Sequence, residues 1–265
     1  MRKQAAAVLI VAGALGVASA PSYGGEATID GSGNFLMLDT DLAPPVAGTR
    51  SKPQPVTLTL HQLFGNYRSG AQPPNTSGIV FRLPRGMRAN TDLVGTCPLP
   101  AADADIRSNR CSTASRIGTG AAIADARDFG INDPVAARVT AYNGAEHNGS
   151  PTLIIQGVAT IGGGEVVTEY DFVQGRGSGR FGIVLTTFDP VPGPAADPNG
   201  PAITLNKLDL RVGKTINTRV SGRRVRRGFL ETPTTCPRSG WAFEQEFTFA
   251  AGGSLKAGDV VPCTR

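Results

Sequence analysis

Apolar and polar residues alternate along much of this chain. Across residues 56–63, Val56, Leu58 and Leu60 alternate with Thr57, Thr59 and His61, the period of two that marks a half-buried strand. Shorter runs of the same kind cover 35–38, 78–83, 117–123, 135–142, 153–161, 166–173 and 203–212. The run 181–188 is apolar on both faces, through Phe181, Ile183 and Leu185 on one and Val184 and Phe188 on the other, so it predicts a central strand. In 241–249, Trp241, Phe243, Phe247 and Phe249 share one face, and Glu244, Glu246 and Thr248 the other. An aromatic stripe at this spacing reads as core rather than as a ligand platform.

Between these runs lie turn signals. The chain holds 34 glycines and 20 prolines in 265 residues, and Gly162-Gly163-Gly164, the 175–179 stretch and the Pro/Gly-rich 190–201 stretch separate predicted strands. The nearest helix candidate, 100–107, is short and lacks an apolar face. The predicted fold is therefore all-β, a disulfide-stapled antiparallel β-sandwich, jelly-roll-like or immunoglobulin-like. No Cys…Trp…Cys spacing marks a true immunoglobulin domain. The predicted organisation is a signal peptide over 1–18, a turn-rich segment over 19–55 and a single sandwich domain over 56–265.

The signal peptide rests on Arg2 and Lys3, the apolar run Ala5 to Val17, and the small residues that follow. Gly16 and Ala18 suit a cut after Ala18. Ala18 and Ala20 suit one after Ala20, but Pro21 opposes it. The apolar run is shorter than the ~20 residues of a spanning helix, so the expectation is a secreted, extracytoplasmic protein that is not integral to a membrane. Formal net charge is +5, of which Arg2 and Lys3 carry two, and this is too little to argue for nucleic-acid binding. Lysine is scarce and arginine abundant, a compositional bias. The four cysteines Cys97, Cys111, Cys236 and Cys263 fit an oxidising compartment. They allow three connectivities, and proximity favours Cys97–Cys111 with Cys236–Cys263. A zinc site is disfavoured, because no C-x2-C pair exists and the only histidines are His61 and His147. Asp103-Ala104-Asp105 lacks the rest of a calcium loop. No metal or cofactor is expected.

Two blocks carry a resemblance. One runs Leu83-Pro84-Arg85-Gly86-Met87, Cys97-Pro98, then Cys111-Ser112-Thr113-Ala114-Ser115-Arg116-Ile117-Gly118-Thr119-Gly120. The other is Pro233-Thr234-Thr235-Cys236-Pro237 with Gly240-Trp241 and Cys263. Together they resemble exported actinobacterial β-sandwich proteins of uncharacterised function, with Ser112 where proline is usual. The resemblance implies a fold and an exported location, and brings no catalytic residue.

Catalytic signals are sparse. The nucleophile elbow G-x-S-x-G is absent, and His61 and His147 read as solvated surface. Glu169 with Asp171, and Glu244 with Glu246, form i, i+2 pairs of the kind a glycosidase could use, against which stands a solvated outer face. The stretch 219–227 holds Arg219, Arg223, Arg224, Arg226 and Arg227. Without interleaved aromatics it does not suggest nucleic acid. It suits an envelope polysaccharide, another anionic envelope polymer or phospholipid headgroups, or an exposed loop or edge strand blunted by charge. Tyr67 and Tyr142, expected at loop flanks, are further ligand-binding candidates. The leading expectation is a non-enzymatic exported protein with a binding or structural role in the envelope or medium. The alternatives are a jelly-roll hydrolase acting on an envelope polysaccharide, and an adhesin or assembly subunit.

Overall fold

A computed structural model describes Gly25 and residues 27–68, 71–98, 111–161, 165–174, 178–189, 203–220 and 222–265. The signal peptide, the Asp103–Asp105 stretch, the 100–107 helix candidate, Gly162–Gly164 and the 190–201 loop lie outside the described residues. Sixteen strands follow in order: β1 (Ala27–Ile29), β2 (Asn34–Ala43), β3 (Pro55–Asn66), β4 (Thr76–Pro84), β5 (Arg88–Ala89), β6 (Arg116–Ala126), β7 (Ile131–His147), β8 (Ser150–Ala159), β9 (Glu165–Gln174), β10 (Phe181–Asp189), β11 (Thr204–Val212), β12 (Thr215–Val220), β13 (Arg223–Gly228), β14 (Leu230–Glu231), β15 (Trp241–Phe249) and β16 (Ser254–Val261). No α-helix occurs among the described residues, only two short 3-10 turns at Thr91–Leu93 and Arg127–Phe129.

The main sheet is antiparallel throughout, ordered β1-β2-β3-β11-β6-β7-β8-β9-β10-β4-β15-β16, with β14 and β5 attached beside β3. It folds over on itself so that its two ends face each other as a sandwich. The period-two residues explain why. Leu58 and Leu60 on β3, Ile79 and Phe81 on β4, and Phe243 and Phe247 on β15 are all buried. Across the core, the Phe64 ring of β3 lies edge-on to Phe247 at 4.9 Å and stacks on Phe249 at 5.9 Å, geometries that aromatic quadrupoles favour. β10 runs between β9 and β4, the central place its two apolar faces predict.

Residues 27–43, read from sequence as part of a turn-rich segment ahead of the domain, supply β1 and β2. β2 pairs with β3 along its full length, from Asn34↔Asn66 to Ala43↔Thr57. The apolar period of β3 continues into Gln62, which is 1% exposed. Its Oε1 accepts a hydrogen bond from Gln245 Nε2 at 2.7 Å across the core.

The ends of the sheet meet at a seam. Asp259 of β16 reaches β2, where its Oδ2 accepts from the Thr40 backbone N–H at 2.7 Å and the Thr40 hydroxyl at 2.6 Å. Beyond the strands, Ala47 N donates to Thr264 O and Thr264 N to Pro45 O. Two disulfides staple the chain, Cys97–Cys111 and Cys236–Cys263, and no free cysteine remains. No helix of the described residues is long and apolar enough to cross a membrane.

Candidate functional site

One element stands outside the main sheet. β12 and β13 form a separate two-stranded hairpin that carries the arginine run. The sequence allowed a loop or an edge strand there, and the structure makes it a hairpin with its own faces. Val220 pairs with Arg223, so two residues make the turn. The second, Gly222, has φ of 79°, a conformation that costs glycine little.

Alternation sorts the side chains. Arg219 lies opposite Arg224, and Asn217 opposite Arg226. These four share one face with Thr215, and all five are exposed. Ile216, Thr218, Val225 and Arg227 lie on the other face and are half-buried. The described residues give no hydrogen-bond or ion-pair partner to Arg219, Arg224 or Arg226. A cleft of about 530 Å³ opens beside them, lined by Asn217, Thr218, Arg219 and Arg224. The Arg223 side chain lies outside what the structure describes.

Arg227 does not belong with the ligand-binding candidates. Its Nε donates to Glu231 Oε1 at 2.5 Å and its Nη2 to Asn90 Oδ1 at 3.2 Å. Glu231 is 1% exposed, so Arg227 neutralises a buried carboxylate. The hydrogen bond from Arg227 to Glu231 in turn raises the arginine's pKa, against the opposing effect of burial. Around this pair, Asn90 Nδ2 donates to Gly228 O at 2.7 Å, and Phe229 N to Lys214 O at 2.7 Å. Arg227 is thus the base of the hairpin, fixed to β14 and to the turn after β5.

The other candidates are dispersed. Tyr67 is 62% exposed just after β3. Tyr142, expected at a loop flank, lies inside β7, half-buried and paired with Ile154 of β8. Neither adjoins the hairpin by strand pairing. His61, read as solvated, is about one-third exposed, and its Nδ1 lies 2.7 Å from Asp209 Oδ1. Burial pushes the Asp209 carboxyl up, but hydrogen bonds from His61 and Lys207 outweigh it and lower its pKa.

Glu244 and Glu246 lie on the outer face of β15 as the alternation predicts. Arg82 of β4 bridges them, Nη1 to Glu244 Oε1 at 2.8 Å and Nη2 to Glu246 Oε2 at 2.9 Å, and Lys256 adds 3.3 Å to Glu246. Burial would raise the Glu246 pKa, yet Arg82 and Lys256 hold it below its ordinary value. A glycosidase acid needs the opposite shift, upward towards neutrality. The side chains of Glu169 and Asp171 lie outside the described residues.

A second cleft, about 440 Å³, lies over Phe35, Leu63 and Ile123. Its polar rim is already engaged: Asp125 with Arg127, Asn66 with Asn34, Lys207 with Asp209. Among the described residues, no group of three or more His, Cys, Asp or Glu side chains could hold a metal ion.

No protein-family model, no curated protein and no solved structure matches the chain.

Proposed function

We propose that this chain is an exported, non-enzymatic β-sandwich that binds an anionic polymer of the cell envelope through the exposed face of the β12–β13 hairpin. One observation carries the reading: Arg219, Arg224 and Arg226 lie exposed on one face of a hairpin outside the main sheet, with no hydrogen-bond or ion-pair partner among the described residues. Two arginines directly opposite on a ladder repel each other. A face built that way is relieved by an external anion. Of the two carboxylate pairs, Glu244 and Glu246 are tied to Arg82. The leader-like N-terminus and the two disulfides support an extracytoplasmic setting.

The test incubates the full, oxidised chain with purified envelope fractions and reads co-sedimented protein together with released sugar. Retention without release is expected. The Arg219→Gln/Arg224→Gln/Arg226→Gln variant is expected to lose retention by about tenfold or more, since charge-assisted bonds dominate such a face. Sugar release in proportion to protein, or unchanged retention of the triple variant, would overturn the reading.

A further inference from the structure

Resting on the reading of the hairpin as the binding face, we propose that its ligand is recognised through phosphoryl groups, held on two rungs of the β12–β13 ladder. Arg219 and Arg224 form the first rung, and Asn217 and Arg226 the second.

The geometry follows from the strands. Directly opposite residues lie ~5 Å apart, so two guanidinium groups approach one anion from opposite strands. The rungs are two residues apart, which is ~7 Å along the strand. A planar carboxylate offers its bidentate edge to one guanidinium. A tetrahedral phosphoryl group points its oxygens in several directions and accepts from two guanidinium planes at once. The second rung adds a guanidinium and an amide donor for the next phosphoryl group along the polymer.

The same face argues against a lipid surface as the source of the phosphate. Thr215, Asn217, Arg219, Arg224 and Arg226 include no aromatic or aliphatic anchor, and interfacial binding draws on buried apolar area as well as charge. Among the described side chains of the hairpin, the apolar ones, Ile216 and Val225, are on the opposite, half-buried face. The inferred ligand is therefore a phosphate-bearing polymer rather than a bilayer.

The experiment measures binding of the full, oxidised chain to three probes: inorganic polyphosphate, polygalacturonate of matched charge, and phosphatidylglycerol vesicles. Polyphosphate is expected to bind about tenfold or more tightly than polygalacturonate. Two phosphoryl groups neutralised on a flexible strand predict an affinity loss of about sevenfold between 50 and 200 mM salt. The Arg219→Lys/Arg224→Lys variant keeps the charge and loses the planar fork, so it is expected to lose the preference between polymers while remaining folded. Equal binding of the two polymers by the native chain, or an unchanged preference in the lysine variant, overturns the phosphoryl assignment. Binding to vesicles alone overturns the polymer as source. Binding to no probe while envelope retention persists overturns this inference and leaves the hairpin reading standing; loss of envelope retention by the native chain as well removes both.

Discussion

At the scale of single residues, partners decide what each charge can do. Glu246 is held ionised by Arg82 and Lys256. Its folded pKa lies below its ordinary 4.5, so the stabilisation is fully present above that value and is lost as pH falls from 4.5 through the lowered one. Arg82→Gln is expected to cost about 1 kcal/mol at neutral pH for this half-buried network. The gap between native and variant melting temperatures should close as pH is taken from 7 to 3. A gap that stays constant to pH 3 would show that Arg82 acts through packing alone. Some residue-scale features were legible in the sequence without their reasons. Gly118, Thr119 and Gly120 fall inside the strand run expected over 117–123. The structure adds that a Cβ at Gly118 or Gly120 would overlap the carbonyl oxygens of Arg211 and Asp209 on β11. Nothing in the sequence distinguished Arg227 from Arg226. The difference is parity on β13 combined with Glu231, four residues on, turned into the core.

At the scale of elements, the strand runs were legible because the core imposes a strict period of two, and 241–249 matches β15 end to end. What the period cannot encode is which strands become neighbours: β11 joins β3 to β6 from far along the chain. Nor did it foresee Gln62 and Gln245, which occupy apolar-phase positions and pair across the core, with Gln62 Nε2 and Gln245 Oε1 finding no hydrogen-bond partner among the described residues. The hairpin was legible only as charge; that it leaves the main sheet depends on its base. Arg227→Gln would strand the buried Glu231 carboxylate, and the expected cost is about 3–5 kcal/mol by urea unfolding. Glu231→Gln removes the charge that needs neutralising and is expected to cost less. Equal costs would mean that the pair contributes shape and not charge compensation.

At the scale of the whole molecule, the disulfides act on the chain rather than on the hairpin. Cys97–Cys111 closes 14 residues of sequence separation and Cys236–Cys263 closes 27. Each is expected to stabilise by about 3–4 kcal/mol in the chain-entropy model. Replacing Cys236 and Cys263 by Ala should lower the melting temperature and leave the salt dependence of polyanion binding unchanged, because the arginine rungs lie on another element. A changed salt slope would tie the two together. The all-β sandwich with both pairings followed from periodicity and cysteine spacing. The folding of one continuous sheet onto itself did not, since it depends on contacts far apart in sequence.

The seam between β2 and β16 has a kinetic consequence. Thr40 and Asp259 are separated by 219 positions, so this contact belongs to the slow, non-local class that forms after most of the chain has ordered. Until residues 254–261 arrive, the β15 ladder stays open on one side and the Thr40 backbone N–H of β2 lacks its acceptor Asp259. A chain interrupted before β16 therefore exposes the aromatic-backed β15 as an aggregation-prone margin. Its fate in the cell would be set by how quickly that margin is covered, and not by the stability of the finished sandwich.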